Sequence, residues 1–518
     1  MDKVDKLYQN YDILADTKNK PSEHEVLYLE IIQAVKGSTS EKMLACQFIP
    51  RFLKDFPELQ ETALDAQLDL VEDADIAIRK HAVKYLPSFC KESIAFITKI
   101  SDILTQLLQS EDTGELATVH TALMTILKID IKLTLEGMFV QIATTEEDTI
   151  RKRAIQFLCT KFKFLPPELT TKEVEEFVLE KCKAVFPEIG GDDFLNLMPL
   201  LSNLKIAKTI PVQQTLVNLI AEQAELDAEF QPSPDNVAGF LQCVRLALPY
   251  FSAFIHSTDF VTYICLFVVI KLKEIEQLEG GSELSLDVIK LLAEISPYLT
   301  ADELNKECTE VIHKVLLEYI PLPPPPTDAE NGTQSDEPDL KFTHIECLLF
   351  VFTHFLKHCP EFLTAADNSQ RFKDLKARLQ FLARGVQNGI KTFRESLVSN
   401  KTKETKAEET KLKAIALRTM NNINSLIKDL FRIPPTFKTA VTLSWKPATA
   451  ASTKVPVTAG IKRESDGIVS EEKKSAKRDS KSVRELYQPP GGKYSTNVNF
   501  SQSRGSNFYS RGRGKRFY

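Results

Sequence analysis

A small side chain followed four positions later by a bulky apolar one recurs through the first third of this chain. The pairs are Ala45/Ile49, Ala82/Leu86, Ala122/Ile126 and Ala154/Leu158, spaced 37, 40 and 32 residues apart. They lie in "EKMLACQFI", "AIRKHAVKYL", "TVHTALMTI" and "TIRKRAIQFL". Positions i and i+4 share one face of a helix, so each pair marks a buried stripe. The small residue lets two helices approach, and the bulky one packs into the next repeat. A period of roughly 35–45 residues with helical content predicts HEAT-like helix pairs stacked as a solenoid. A generic helical bundle with coincidental spacing is the alternative. Two copies also carry Asp75 with Ile78-Arg79 and Asp148 with Ile150-Arg151. These Asp and Arg side chains are expected to bond between neighbouring repeats along the inner face.

Glycine is scarce, 18 in 518 residues, which favours helix. At 43% hydrophobic and 26% charged, most of the chain should fold. The nine cysteines are scattered singly, with no CxxC pair. That pattern predicts reduced, mostly buried thiols in an intracellular protein. The opening "MDKVDKLYQNY" is polar and reads as no signal peptide. The longest apolar run, Phe260–Ile270, falls short of the roughly 20 residues of a membrane helix. A soluble protein is expected.

The second half repeats less clearly. "SLDVIKLLAEI", "ECTEVIHKVLLEYI" and "IECLLFVFTHFLKHC" place apolar residues at i, i+3, i+4 and i+7. Pro249, Pro297, Pro321 and Pro360 punctuate the ends of such runs. The segment "PLPPPPTDAENGTQSDEPD" predicts a mobile Pro-rich acidic loop over 321–340. Pro321 and Pro324 fit a PxxP ligand, but a plain linker is the favoured reading of the segment. Two long helices, 369–399 and 406–431, should close the body before Pro434-Pro435. The second has an apolar stripe (Leu412, Ile415, Ala416, Thr419, Ile423, Leu426, Ile427, Leu430) expected to pack on something.

Charge divides the chain. The net charge is −6, yet residues 446–518 hold 16 Lys+Arg against 6 Asp+Glu. Residues 1–445 therefore hold 49 against 65, a net of −16. An acidic body and a basic tail should have different partners. After Trp445 large apolar residues become rare, so the tail cannot offset its ordering entropy and is expected to be disordered. Within it, Lys462-Arg463 and Lys473-Lys474/Lys477-Arg478 flank nine intervening residues. Two basic patches at that separation suit a bipartite nuclear import signal, each patch entering an acidic groove of an import receptor. Phosphorylation at Ser465 or Ser475 would weaken such a signal. The end, "RGSNFYSRGRGKRFY", joins Arg504, Arg511, Arg513, Lys515 and Arg516 to Phe508, Tyr509 and Tyr518. Arginines contact phosphates and aromatics stack on unpaired bases, so weak, nonspecific RNA contact is expected. A solubilising tail is the plainer reading.

No P-loop, GxSxG or dinucleotide-binding glycine pattern occurs. The best metal candidates are His344, Cys347, His354, His358 and Cys359, but "HFLKH" lacks a zincin glutamate and lies among core-like residues. They read as structural. Neither enzymatic activity nor a metal or other cofactor is expected.

The blocks "LYQNYDILAD", "QFIPRFLKDFPEL", "AQLDLVEDADIAIRKHAVKYLP", "RLQFLARG", "NNINSLIKDLF", "IPPTFKTAVTLSWKP" and "YQPPGGKYS" resemble the apoptosis inhibitor 5 family. That family is also known as fibroblast growth factor-interacting factor. The resemblance runs end to end. It implies HEAT-like repeats over 1–206, ARM-like repeats over 207–445, and a basic tail over 446–518. It also implies a non-enzymatic, nuclear, RNA-associated scaffold that restrains apoptosis. Two positions depart from the family pattern. Its heptad-leucine segment reads Phe372, Leu379, Val386 and Phe393 here, so a free dimerising zipper is the lesser alternative to a helix face buried in the solenoid or serving as a partner surface. A family lysine in "YFSAFIHST" is replaced by Ala253, which puts any switch at that lysine in doubt.

The acidic body should favour basic partners, such as growth factors and RNA-processing or apoptosis factors. A monomer is expected, nuclear and also cytoplasmic. An RNA-binding adaptor in mRNA processing or export is the alternative. A HEAT-repeat transport receptor fits less well, because the body is short for encircling cargo.

Overall fold

The computed structural model describes residues 2–16, 24–300, 306–320, 322, 340–364, 369–399, 407–432, 435, 437 and 439–447. All belong to one compact unit, Met1–Thr453. Among the described residues the secondary structure is helical, with no strand.

The first helices are α1 (Lys3–Asp16), α2 (Glu25–Gln33), α3 (Thr39–Phe52), α4 (Gln60–Val71), α5 (Ile76–Glu92) and α6 (Ile97–Gln106). Then come α7 (Thr113–Leu127), α8 (Ile131–Thr144), α9 (Asp148–Lys161), α10 (Lys172–Val185) and α11 (Gly191–Ser202). Alternate helices stack: α3 on α5 and α5 on α7 in one layer, α6 on α8 and α8 on α10 in the other. This is a helical-repeat solenoid, as the spacing predicts. All eight residues of the repeating pairs are buried; six of them lie on the stacked layer α3, α5 and α7, and Ala154 and Leu158 lie on α9.

Local signals start these helices. Ser38 and Glu41 form a reciprocal capping box on α3. Asp75, Asp112 and Asp130 accept from backbone N–H groups in the first turns of α5, α7 and α8. Asp75 is therefore a cap and not a bridge between repeats, and Asp148 pairs with Arg151 and Lys152 of its own helix. The arginines do cross. Arg79 holds Glu115 of α7 through two bonds of 2.8 and 3.1 Å, and Arg151 lies 3.7 Å from Asp193 of α11. Asp75 is one methylene shorter than Glu and faces the orphan N–H groups of its own helix, so it satisfies those first.

The next helices are α12 (Ile210–Gln223), α13 (Pro234–Ala247), α14 (Thr258–Tyr263), α15 (Leu272–Glu276) and α16 (Gly281–Ile295). The expected boundary at residue 206 falls in a 3-10 turn, Ile206–Lys208. The apolar run 260–270 forms a broken helix: α14, a π turn (Ile264–Val268), a 3-10 turn (Val269–Lys271), then α15. Phe267 and Ile270 point to solvent while Phe260, Ile264 and Val268 are buried. Among the described residues no helix is long and apolar enough to cross a membrane.

The last elements are α17 (Lys306–Tyr319), α18 (Phe342–His358), α19 (Glu361–Thr364), α20 (Ser369–Ser399) and α21 (Ala407–Phe431). The stack continues through α13, α16, α18 and α21. The expected Pro-rich loop at 321–340 lies almost wholly outside the described residues.

Residues 439–447 then cross back over α16, α18 and α21 as an irregular strap with a turn at Ser444-Trp445. Glu346, fully buried in α18, accepts from the Ser444 amide (3.0 Å), the Ser444 hydroxyl (2.7 Å) and Asn422 Nδ2 (2.5 Å). The Trp445 indole donates to Glu294 at 2.7 Å, and Lys446 pairs with the other Glu294 oxygen at 3.2 Å. Arg418 donates to the Lys446 carbonyl at 2.6 Å.

Candidate interaction surfaces

A cavity of about 650 Å³ lies where the regular stack meets the second half. Its walls are the start of α9, the start of α11, the turn after α12, and α13. Six carboxylates line it: Asp148, Asp192, Asp193, Glu225, Glu229 and Asp235. Only two cations join them, Arg151 and Lys152. Arg151 is held by the Ile142 and Thr145 carbonyls and by Asp148, so its charge is largely engaged. Asp193 is buried, and its Oδ1 has no hydrogen-bond partner among the described residues.

The sequence shapes these walls locally. Ser233 caps α13 and Pro234 occupies its first turn. Glu225 sits at φ 50, the one described non-glycine residue with left-handed backbone, and it turns the chain out of α12. Lys271 anchors the following segment through the Phe230 carbonyl at 2.7 Å. A Cβ at Gly190 or Gly239 would meet nothing, so these walls stay open. Burial, with Glu225 nearby, raises the Tyr263 phenol; its hydroxyl donates to the Ala228 carbonyl at 3.1 Å. Such a cleft can neutralise lysine and arginine side chains.

The cleft carboxylates are dispersed over 148–235 and no motif unites them. The acidic clusters "GGDD" and "AELDAEF" are the sequence signal that could have pointed there.

The positions singled out from the sequence are placed as follows. Lys462, Arg463, Lys473, Lys474, Lys477 and Arg478 lie outside the described residues, as do Arg504, Phe508, Tyr509, Arg511, Arg513, Lys515, Arg516 and Tyr518. The heptad face of α20 is not free for a partner. Leu379 and Val386 are 1% and 0% exposed, and Phe372 and Phe393 are half-buried against the same core. α21 occupies that seam. The apolar stripe of α21 is buried from Thr419 onward, but Leu412 and Ile415 are exposed at 67% and 42%. Ala253 lies exposed in a turn, its carbonyl against the His256 ring.

The His/Cys cluster is dispersed. His344 stacks on Tyr319 with centroids 5.1 Å apart, Cys347 is fully buried, and His354 Nδ1 bonds the Phe350 carbonyl at 2.9 Å. Burial pushes both His344 and His354 down to about 4. Among the described residues no group of three His, Cys, Asp or Glu is placed to hold a metal.

An all-helical repeat stack with an open, charged cleft defines a helical-repeat protein of the kind that presents extended surfaces. Comparison with known proteins assigns it further. The family model described as "Apoptosis inhibitory protein 5" matches residues 4–518. The chain is 46% identical to "Apoptosis inhibitor 5" of Gallus gallus, covering 99% of this chain and 98% of that protein. It is 46% identical to the Homo sapiens protein of the same name, covering 99% and 97%. It is 39% identical to "Apoptosis inhibitor 5 homolog" of Drosophila melanogaster, covering 98% and 95%. The chain belongs to the apoptosis inhibitor 5 family.

Proposed function

We propose that this chain is a non-enzymatic scaffold that restrains apoptosis through protein–protein interactions, working in the nucleus. The acidic cleft between α9, α11 and α13 carries the reading. Six carboxylates against two cations, both of them already paired with Asp148, favour basic segments of partner proteins. The names of the relatives supply the link to apoptosis. The basic tail supplies import through Lys462, Arg463, Lys473, Lys474, Lys477 and Arg478 and weak RNA contact through its arginines and aromatics.

The test reverses exposed cleft charges, Asp192→Lys, Glu229→Lys and Asp235→Lys, in the full chain. Titration with an arginine-rich peptide should show at least about a tenfold loss of affinity, since like charges replace complementary ones. The same variant should fail to protect cells from induced apoptosis. Unchanged peptide affinity and unchanged protection would overturn the reading. A second variant ends after Pro447, keeping the strap. If it loses protection even when fused to a foreign import signal, an RNA-binding adaptor replaces the scaffold as the primary role.

A further inference from the structure

The reversal of charge does not begin with the tail. Residues 1–368 carry 33 Lys+Arg against 59 Asp+Glu, whereas residues 369–445 carry 16 against 6. The change coincides with the start of α20.

This helix has two sharply different sides. Leu375, Leu379, Leu382, Val386 and Ile390 are buried. On the opposite side Lys373, Arg384, Lys391 and Arg394 are exposed. Their spacing keeps them on one stripe, about 32 Å long at ~1.5 Å per residue. Two other cations of the helix are used internally: Arg378 bonds Asp374 and the Leu317 and Ile320 carbonyls, and Arg371 pairs with Glu310. The four stripe cations form no ion pair with any described residue.

Toward its C-terminal end the stripe borders a groove of about 520 Å³ between α20 and α21. Lys391, Arg394 and the amides of Gln387, Asn421 and Asn424 line it, with Glu395 as the one carboxylate. Leu412 and Ile415, the exposed apolar pair of α21, are not part of it. A protein interface centres on buried aromatic or aliphatic anchors, and this groove offers cations and amides instead. Those are the groups that contact phosphate oxygens. Unpaired bases also present hydrogen-bonding edges that amides can reach and a duplex hides.

We propose that the solvent stripe of α20 and the adjoining α20–α21 groove bind single-stranded nucleic acid through its phosphate backbone. This surface is folded, separate from the basic tail, and does not depend on the tail's reading.

The test uses the full chain and a fluorescein-labelled 20-nucleotide polyuridine RNA, followed by anisotropy across a salt series. The R384E/K391E/R394E variant should bind at least about tenfold more weakly near 0.1 M salt. Its slope of log affinity against log salt should flatten by about 2, from roughly 0.7 per lost single-strand phosphate contact. R384Q/K391Q/R394Q, which adds no repulsion, should shift both quantities in the same direction by less, with an unchanged melting temperature. A tail variant with Arg504, Arg511, Arg513 and Arg516 replaced by Ser should leave the stripe's contribution intact. Parental affinity and slope in both stripe variants would overturn the proposal while leaving RNA contact by the tail standing. Equal binding of a 20-residue polyglutamate peptide, lost in parallel with RNA, would also overturn it and make the stripe a site for acidic proteins.

Discussion

The two halves of the stack are held together in different ways. From α3 to α11 each helix pair is tied to its neighbour by side chains about one repeat apart, such as Arg79–Glu115, Gln141–Asp102 and Lys181–Glu136. From α16 to α21 the ties reach much further, from Glu346 to Ser444 and from Glu294 to Trp445, because the strap returns over helices already laid down. The first half resembles a chain of nearest-neighbour contacts, in which stability is roughly a sum over repeats. The second closes like a globular domain, and one buried carboxylate serves as its hub.

The contrast is sharpest at that hub. Glu346→Ala leaves the Ser444 amide and hydroxyl without their acceptor inside the fold, while Asn422 keeps only the Thr442 carbonyl. A loss of about 3 kcal/mol is expected from chemical denaturation. Hydrogen exchange should rise across 342–358, 407–431 and 439–447 and stay unchanged across 39–127. An increase spread evenly over both halves would show a single cooperative unit and erase the distinction.

The N-terminal counterpart is Arg79→Met, which strands Glu115, a carboxylate only 3% exposed. Arg79 holds the Glu115 carboxyl below its usual range, and Ser110 adds a second bond. Retention of that second bond limits the expected loss to about 2 kcal/mol. Faster exchange should be confined to α5, α7 and the segment 107–112 that leads into α7.

Trp445→Phe is a milder probe of the strap. It keeps the ring and removes the bond to Glu294, for about 1 kcal/mol, read as a small shift in denaturation midpoint.

Acid should separate the halves as well. Burial lowers His313, His344 and His354 to about 4, below the ordinary value of 6.5. A lowered folded-state value means the unfolded chain binds the proton more readily between these limits. The stability of the second half is thus intact above pH 6.5 and declines as pH falls toward 4. Asp73 and Glu115 in the first half are carboxylates held below 3.8 and 4.5, so their contribution is lost only at lower pH. Burial lowers His81 and His120 in the first half too, but the three histidines pushed to about 4 all lie in α17 and α18, so exchange should rise most there on acidification. Equal loss in both halves would contradict this assignment.

How far the sequence speaks follows the same division. The Ala/Ile and Ala/Leu pairs report helix faces, a property of neighbours four residues apart, and they identify the solenoid directly. The closing helices 369–399 and 406–431 are legible for the same reason, since their periodicity and Pro434-Pro435 are local. The cleft is not legible, because its carboxylates come from four separate segments. Glu346 within an apolar helix looks misplaced until its partners, 76 and 98 residues away, are known.

By itself the sequence determined the class of fold, the helical faces and the split between an acidic body and a basic end, because each depends on periodicity or composition within short windows. Only the tertiary structure decided that the heptad face of α20 is spent on the core, that Arg79 and Arg151 reach across repeats while Asp75 and Asp148 stay at home, and that the strap completes the second half. Those outcomes depend on which groups the stacking brings within hydrogen-bond reach. Distance along the chain does not encode that geometry.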